Sequence, residues 1–391
     1  MEPLKDFKDF LSLPFFCAHL VGIDPTQGRE TFRFKLSCLA LAIGVSNHLY
    51  LMIGELVYFH QHIGEFSSLL EATKTGAYIA YGINTNTKVF AVLSDISLLK
   101  NVLRTTEELY PKTLKEKRVY RVNENFWSAS IYLLVATYFL AGWIVYFMPG
   151  IKSMYQYMRF DEEFSYETPF WVEHPFYYRT KLLYGLVYFS ELWGGHLCVS
   201  CNIGIDLLLC CLSRQMSMHF KYIGQKIERY CPTGGPGDNV FLSKLIEQHQ
   251  LILKLCLDLN EIFGISLVFN FFSSSGIICL SAFQVTVEGP GMEFMKFFLL
   301  LVSALGQLFI VCSFGNELIE SSLSIIECVF NHPWYRGSQS YKKQLVIFLL
   351  RCQKPATLIA KGFSVVSLVT FKQVSSMSYR IFALLNTFHA E

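Results

Sequence analysis

The chain has 391 residues, of which 52% are hydrophobic and only 16% carry a charge, and its mean hydropathy is +0.35. A soluble domain needs charge near about a quarter of its composition to cover its surface, so this composition excludes an ordinary soluble protein and predicts an integral membrane protein. A net charge of only +2 gives no support to a nucleic-acid partner.

The first 34 residues are interpreted as a cytoplasmic N-terminal segment. Lys5, Asp6, Lys8, Asp9 and Asp24 interrupt its short apolar pieces. A secretory signal peptide needs a continuous apolar stretch followed by a small-residue cleavage site, and this segment has neither. We therefore expect the segment to be retained.

Seven stretches are candidates for crossing the membrane, because a helix needs about 20 mostly apolar residues to span the hydrocarbon core. In chain order they are Leu36–Tyr58, Ser67–Leu93, Phe126–Phe147, Leu182–Leu212, Ile262–Val287, Phe297–Asn316 and Thr370–Phe388. The second contains Glu71, Lys74 and Lys88, and the seventh contains Lys372 and Arg380, so hydropathy alone would miss either one. Counting both predicts an all-α membrane protein with seven transmembrane helices.

Lys and Arg are distributed unevenly between the connections of these helices. The N-terminal segment and the loops after predicted helices 2, 4 and 6 are rich in them, whereas the loops after predicted helices 3 and 5 have few and carry many acids. Cytoplasmic loops are the ones enriched in Lys and Arg. The pattern predicts a cytoplasmic N-terminus and, because seven is odd, an extracellular C-terminus.

Apolar residues continue at helical spacing beyond several membrane spans. The stretches that show this pattern are Lys221–Arg229, Lys244–Glu261, Glu317–Val329 and Tyr341–Gln353, with a predicted turn at Thr233–Asp238. We expect helices 4 to 7 to extend into the cytosol and pack there as an anchor; solvated linkers are the alternative. The chain then divides into the N-terminal segment 1–34, helices 1–6 with their loops in 35–316, and the anchor helix with the last helix in 317–391.

No arrangement of His, Cys or acidic residues predicts a metal, cofactor or catalytic site. Cys198 and Cys201 form a single CxxC in an apolar helix, where packing is a better interpretation than zinc binding. Glu191 and His196 are five residues apart, which misaligns them by well over about a hundred degrees on a regular helix. Pairing of the polar residues of helix 4 with the lysines of helix 2 is the plainer interpretation. The sequence therefore predicts no cofactor and no enzyme.

Seven helices also suggest a G-protein-coupled receptor, but that class has an extracellular N-terminus, Asp-Arg-Tyr after helix 3 and Asn-Pro-x-x-Tyr in helix 7, and the sequence shows none of these. The last quarter of the chain instead contains Gly315-Asn-Glu-Leu318, Leu349-Leu-Arg-Cys-Gln-Lys-Pro355 and Ser378-Tyr-Arg-Ile-Phe-Ala-Leu-Leu385. These runs resemble the C-terminal part of insect odorant receptors, although Arg380 and Ile381 depart from the commoner residues at their positions.

The resemblance implies a subunit of a ligand-gated, non-selective cation channel that detects small volatile molecules. The short loop after helix 4, residues 213–261, is similar to that of a ligand-specific subunit rather than to the longer loop of the family's co-receptor. The implied assembly is a heterotetramer with co-receptor subunits. It would lie in the plasma membrane of an olfactory neuron's dendrite, in contact with lipid and permeant cations and without a G protein. A gustatory receptor channel of the related family is the alternative, and a transporter or membrane enzyme is a weaker third.

The resemblance also implies a ligand pocket in the outer half of the molecule, between helices 2, 3, 4 and 6. A pocket for small volatile molecules should be apolar and aromatic with one or two hydrogen-bonding positions. The residues that fit are Tyr78, Tyr81, Tyr138, Ala141, Gly142, Val145, Tyr146, Leu186 and Phe189. Gly142 would leave room for a small ring beside Tyr138 and Tyr146. A tyrosine stripe at helical spacing is also typical of ordinary packing.

The last helix is the candidate for the pore wall. Carrying the family's gate positions onto the closing run places Leu384, Leu385 and Phe388 at an outer apolar constriction. Such a constriction blocks ions by excluding water, without any charge. Ordinary helix packing by the same three residues is the alternative.

Overall fold

The computed structural model describes residues 4–19, 32–63, 69–160 and 164–390, apart from the side chains of residues 32–34, 69–70, 160 and 388–390. The described chain is almost entirely helical. Its helices are α1 (Phe7–His19), α2 (Phe32–His62), α3 (Leu69–Ser94), α4 (Ile96–Leu109), α5 (Leu114–Val119), α6 (Ala129–Phe160), α7 (Lys181–Glu228), α8 (Pro236–Val287), α9 (Met292–Asn331), α10 (Gln339–Cys352) and α11 (Leu368–Ala390).

Each of the seven predicted spans overlaps a long helix, in order α2, α3, α6, α7, α8, α9 and α11. Residues 67 and 68 of the second predicted span lie outside the described residues, and α6 begins three residues after the predicted start of the third span at Phe126. Among the described residues, five of these helices are long and apolar enough to cross a membrane: α2, α6, α7, α8 and α9. The other two, α3 and α11, carry the charged and polar residues that make the second and seventh predicted spans weak in hydropathy. The fold class predicted from the sequence, a helical membrane protein, is confirmed.

Three helices are far longer than a membrane requires. α7 has 48 residues, α8 has 52 and α9 has 40, so at about 1.5 Å per residue each is at least twice as long as the ~30 Å hydrocarbon core is thick. The expected extension of these helices beyond their apolar stretches is therefore present. The helix that contains the third predicted span also continues beyond it, from Phe147 through Pro149 to Phe160. Hydropathy marks where apolar residues stop, whereas backbone hydrogen bonding continues beyond them.

The centre of the molecule is α7. Its most apolar stretch is 94% buried within the protein, compared with 22% for that of α2. α7 packs mainly against α9 and α1, and α3 packs mainly against α8. A helix that is apolar all round is stable only where other helices surround it, as they do here.

The turn predicted at Thr233–Asp238 separates α7 from α8. The Asp238 carboxylate accepts hydrogen bonds from the backbone N–H groups of Thr233 (3.1 Å) and Gly234 (2.8 Å). Gly234 has a φ of +81°, which favours glycine, and α8 begins at Pro236, whose missing N–H costs nothing in the first helical turn. This turn lets α8 run back along α7.

Two amphipathic helices, α1 and α4, were not predicted as separate elements. α1 lies in the segment interpreted from the sequence only as a cytoplasmic tail, and it buries Phe7, Phe10 and Leu11. The Trp127 indole Nε1–H donates a hydrogen bond to the Phe10 carbonyl (2.9 Å), which ties α1 to the start of α6. Such short helices have too few apolar residues to stand out in hydropathy and depend on tertiary packing for stability.

A small hairpin joins α10 to the last helix. Strand β1 (Ile359–Ala360) pairs antiparallel with β2 (Ser364–Val365), and Gly362 between them has a φ of +75°. The Lys361 backbone N–H donates to the carbonyl of Gly264 in α8 (3.0 Å). The hairpin therefore fixes the start of α11 against α8.

Candidate ligand-binding cavity

A cavity lies between α2, α3, α6, α7 and α9, and is bordered by one residue of the loop before α7, Phe170. The space open to the centres of water-sized molecules is about 80 Å³; on that measure one water needs roughly 10–15 Å³. The volume therefore suits a small organic molecule. The residues that line the cavity are His48, Leu51, Met52, Glu55, Tyr78, Tyr81, Tyr138, Ala141, Gly142, Val145, Tyr146, Phe170, Gly194, Gly195, Cys198, Val199, Leu300, Ser303 and Ala304.

Hydrogen bonds fix three of the aromatic walls. The Tyr81 and Tyr138 hydroxyls bond to each other, and the Tyr138 hydroxyl donates to Gln307 Oε1 (2.9 Å). The Tyr146 hydroxyl donates to the Gly195 carbonyl (2.6 Å). Because the polar ends of these rings are already bonded, their apolar bodies are left to contact a ligand.

Glycines create the space between these rings. A Cβ on Gly195 would lie 2.7 Å from Tyr146 Cε1 and 2.9 Å from Phe170 Cζ, so any side chain there would displace a wall of the cavity. A Cβ on Gly142 would lie 3.3 Å from Val199 Cγ2 and 3.4 Å from the Tyr146 ring. The cavity exists where two facing helices both have their smallest residues.

Two polar atoms of the cavity are buried without a hydrogen-bond partner in the described chain. They are the Tyr78 hydroxyl oxygen and Nε2 of His48. Glu55 of α2 also lines the cavity. Buried polar groups normally have hydrogen-bond partners. These positions are therefore where a bound molecule would find donors and acceptors.

A buried polar network lies beneath the tyrosines. Lys88 Nζ of α3 is 2.7 Å from Asp206 Oδ2 of α7, and the same carboxylate accepts a hydrogen bond from Gln307 of α9. The expected pairing of helix 4 with the lysines of helix 2 is thus confirmed for Lys88. It is wrong for Lys74, which pairs with Glu288 at the end of α8 (2.8 Å). Since Gln307 also accepts from a cavity tyrosine, the ion pair and the cavity wall are one connected structure.

Glu191, considered from the sequence only for metal binding or helix pairing, anchors the loop that borders the cavity. Its carboxylate accepts a hydrogen bond from the Phe170 backbone N–H (3.0 Å) and lies 3.3 Å from His174 Nε2. Tyr78 contacts the Phe170 ring edge to face, with 5.5 Å between centroids. The loop is therefore held against α3 and α7. Among the described residues no group of three potential metal ligands occurs.

Seven of the nine predicted pocket residues line this one cavity: Tyr78, Tyr81, Tyr138, Ala141, Gly142, Val145 and Tyr146. Leu186 and Phe189 do not, because they lie on an outward face of α7 with 59% and 62% of their surface exposed. The predicted residues include none of those that α2, α9 and the Phe170 loop contribute to this cavity, and α7 lines it with a face that does not carry Leu186 or Phe189. The adjacent Gly194 and Gly195 were the available signal on that helix.

The predicted gate residues lie in the last turns of α11. Leu384 is 56% exposed and Leu385 is half-buried, while the Phe388 side chain lies outside the described residues. Deeper along α11, the Ser378 hydroxyl donates to the Ser275 hydroxyl of α8 (3.1 Å). One side of α11 is therefore fixed to α8, and the end that carries the leucines is open to other contacts.

Comparison with known proteins agrees with this architecture. The family model described as 7tm Odorant receptor matches residues 68–379. Putative odorant receptor 85d of Drosophila melanogaster is 32% identical over 99% of this chain and 95% of its own length, and odorant receptor 67c of the same fly is 31% identical over 99% of both chains. The chain belongs to the odorant receptor family. The family is one of receptors and channels, so the expectation of a receptor rather than an enzyme is confirmed.

The fold of the receptor is also found among solved structures. The insect olfactory receptor OR5 from Machilis hrabei superposes with a TM-score of 0.78 over 97% of this chain and 99% of that one, at 12% identity. The same protein in complex with eugenol gives a TM-score of 0.74 over 98% and 97%, at 14% identity. At such low identity the similarity establishes the fold. The family assignment rests on the Drosophila relatives and the family model.

Proposed function

We propose that the receptor binds a small volatile molecule in the cavity between α2, α3, α6, α7 and α9, and that this binding opens a cation-conducting channel. The observation that carries the proposal is the cavity itself, which combines aromatic walls fixed by hydrogen bonds with a few unpartnered polar atoms. Ligand sites are usually concave and mostly apolar, with a small number of placed polar groups. The receptor from Machilis hrabei, which shares the fold, has been solved in complex with eugenol.

The receptor is proposed to act as the ligand-specific subunit of a heterotetramer with co-receptor subunits. The exposed apolar side chains along α11, among them Val369, Tyr379 and Leu384, support contacts with neighbouring subunits or lipid. Large exposed apolar surface on a membrane helix has to meet one or the other. The proposed location is the plasma membrane of an olfactory neuron's dendrite, with permeant cations and no G protein required.

The proposed topology has the N-terminus in the cytosol and the C-terminus outside. The positive charge of the connections after α4 and around α10 supports it. The overlong parts of α7, α8 and α9, with α10, then form the cytoplasmic anchor. The proposed division of the chain is the cytoplasmic N-terminal segment in 1–34, helices 1–6 with their loops in 35–316, and the anchor helix with the last helix in 317–391.

Expression with and without a co-receptor, with recording of odour-evoked cation current, tests the channel function. We expect current only in the co-expressing cells. The variant Tyr138→Leu, which removes a cavity wall and its bond to Gln307, should reduce the response at unchanged surface expression. Phe189→Leu, on the outward face of α7, is the matched control and should respond like the original receptor. Absence of current in every pairing would contradict the proposal.

The proposed gate at the end of α11 can be tested by making it polar. Leu384→Ser and Phe388→Ser should each increase the current recorded without odorant, because a polar side chain allows water into an apolar constriction. Leu186→Ser, an exposed leucine on another helix, serves as the control. Unchanged closed-state current in both gate variants would assign these residues to packing instead.

A further inference from the structure

Glu55 is a buried acid that the proposed function leaves unexplained. It lies on α2, it is only 8% exposed, and it lines the cavity. No described residue donates a hydrogen bond to its carboxyl group or forms an ion pair with it. A charged carboxylate in such a place costs several kcal/mol in lost hydration unless a partner compensates it. The group is therefore neutral until a partner arrives.

Within the described chain, the cavity lining around Glu55 contains no lysine or arginine. Among the described residues that line the cavity, only His48 can become cationic. Glu191, a second buried acid, is close enough to interact electrostatically with Glu55, and its own partners include His174 and the Phe170 backbone. Two acids and no fixed cation favour a ligand that brings a positive charge with it.

The other walls suit the same ligand. Four tyrosines and Phe170 line the cavity, and the faces of aromatic rings attract ammonium groups. The Tyr78 hydroxyl, which has no hydrogen-bond partner within the described chain, offers an oxygen that can accept an N–H. A carboxyl group at one side of an aromatic enclosure is an arrangement that recognises amines more strongly than alcohols or esters of equal size.

We propose that the ligand class of this cavity is a small volatile amine, bound as an ammonium ion by Glu55. The assignment rests on the proposed function and specifies it. The amine enters as a neutral base; the carboxyl O–H bond breaks, an N–H bond forms on the ligand, and a carboxylate–ammonium pair results. No other reactant is needed. Because the pair forms inside an apolar enclosure, it is stronger than the same pair in water.

The test compares isosteric odorants on co-expressing cells. We expect 2-phenylethylamine to activate the original receptor at concentrations about tenfold lower than 2-phenylethanol, since a hydrogen bond that involves a charged group is roughly twice as strong as one between neutral groups. Glu55→Gln should abolish this preference, and Glu55→Asp should retain part of it. Glu173→Gln, an exposed acid outside the cavity, is the matched control and should keep the preference.

A binding measurement keeps the assignment testable if a variant gates poorly. The amine should raise the unfolding temperature of the purified receptor more than the alcohol does, and this difference should disappear in Glu55→Gln. Responses to neutral odorants with no amine preference, or a preference that survives in Glu55→Gln, would overturn the amine assignment and leave the odorant-gated channel intact. No current with any volatile would instead overturn the proposed function, and with it this ligand class.

Discussion

The two halves of α7 differ in how far they are buried and in what fills the space around them. In the first half, Gly194 and Gly195 border the cavity. In the second half, Leu212, Met216 and Phe220 are completely buried, and neighbouring side chains fill the space. Close packing stabilises a helix, and a cavity forgoes part of that stabilisation. One end of the helix therefore supplies stability, and the other end retains space that a ligand can use.

Buried polar residues join the two ends of α7. Lys88, Asp206 and Gln307 lie between the cavity and the packed core, and they link α3, α7 and α9 through buried hydrogen bonds. Tyr138 of α6 connects this network to the cavity wall. A change at the cavity can therefore reach three helices through direct contacts.

The largest effect is expected in the packed half. Phe220→Ala should lower the free energy of unfolding by about 3–5 kcal/mol, because the site is completely buried and the surrounding helices cannot collapse into the space. Phe189→Ala, on the exposed face of the first half, should change it by less than about 0.5 kcal/mol. Thermal unfolding of the purified receptor in detergent measures both. Equal losses would remove the distinction between the two halves.

The junction between the halves should be nearly as sensitive. Lys88→Met leaves Asp206 buried without its cation, which should lower the free energy of unfolding by about 3 kcal/mol. Breaking a buried ion pair costs about 3–5 kcal/mol, and the lower end is expected because Gln307 still donates to the carboxylate. Adding Asp206→Leu should restore most of that loss, since the uncompensated charge is then gone. The same unfolding measurement applies. A double variant less stable than Lys88→Met would show that the pair stabilises the protein beyond cancelling its own burial.

The packed half should also be sensitive to acid. Burial lowers the pKa of His219 to about 4, and both of its ring nitrogens lack hydrogen-bond partners within the described chain. The unfolded chain takes up a proton near pH 6.5 and the folded protein only near pH 4. The contribution of neutral His219 to the free energy of unfolding is therefore fully present above about pH 6.5. It is lost as the pH is lowered from about 6.5 to about 4, by an amount on the order of 1–3 kcal/mol.

The variant His219→Gln tests this contribution. It should reduce the loss of unfolding temperature between pH 7 and pH 5 (roughly the upper part of the window in which the folded and unfolded states bind different numbers of protons). Part of the loss should remain, because burial also lowers the pKa of His249 in α8 to about 4. An unchanged pH profile would assign the acid sensitivity to other groups.

The smallest effect on stability, and a selective effect on function, is expected at Gly142. In Gly142→Ala the gain in helix propensity and the tight contact with Val199 and Tyr146 oppose each other, so stability should change by less than about 1 kcal/mol. The methyl group narrows the cavity, and the largest agonists should lose potency first. Gly185→Ala, with no atom within 4 Å of the added Cβ, is the matched control. An unaltered agonist panel would place ligands elsewhere.

Much of this receptor follows from its sequence. About 20 apolar residues in a row can form only a membrane span or a buried helix, so five of the seven helices, all except α3 and α11, are determined locally. The tyrosine stripe of α6 is likewise determined, because residues three and four apart share one face of any helix. The five predicted pocket residues of α6 line one cavity together for this reason.

Only the tertiary structure decides which faces of the helices meet. Sequence periodicity does not fix the rotation of a helix about its axis, which depends on packing against its neighbours. For that reason Leu186 and Phe189 point away from the cavity, whereas Glu55 of α2 and Phe170 of a loop reach it. The small helices α1 and α4 are decided in the same way, since neither is long enough to be stable without its partners.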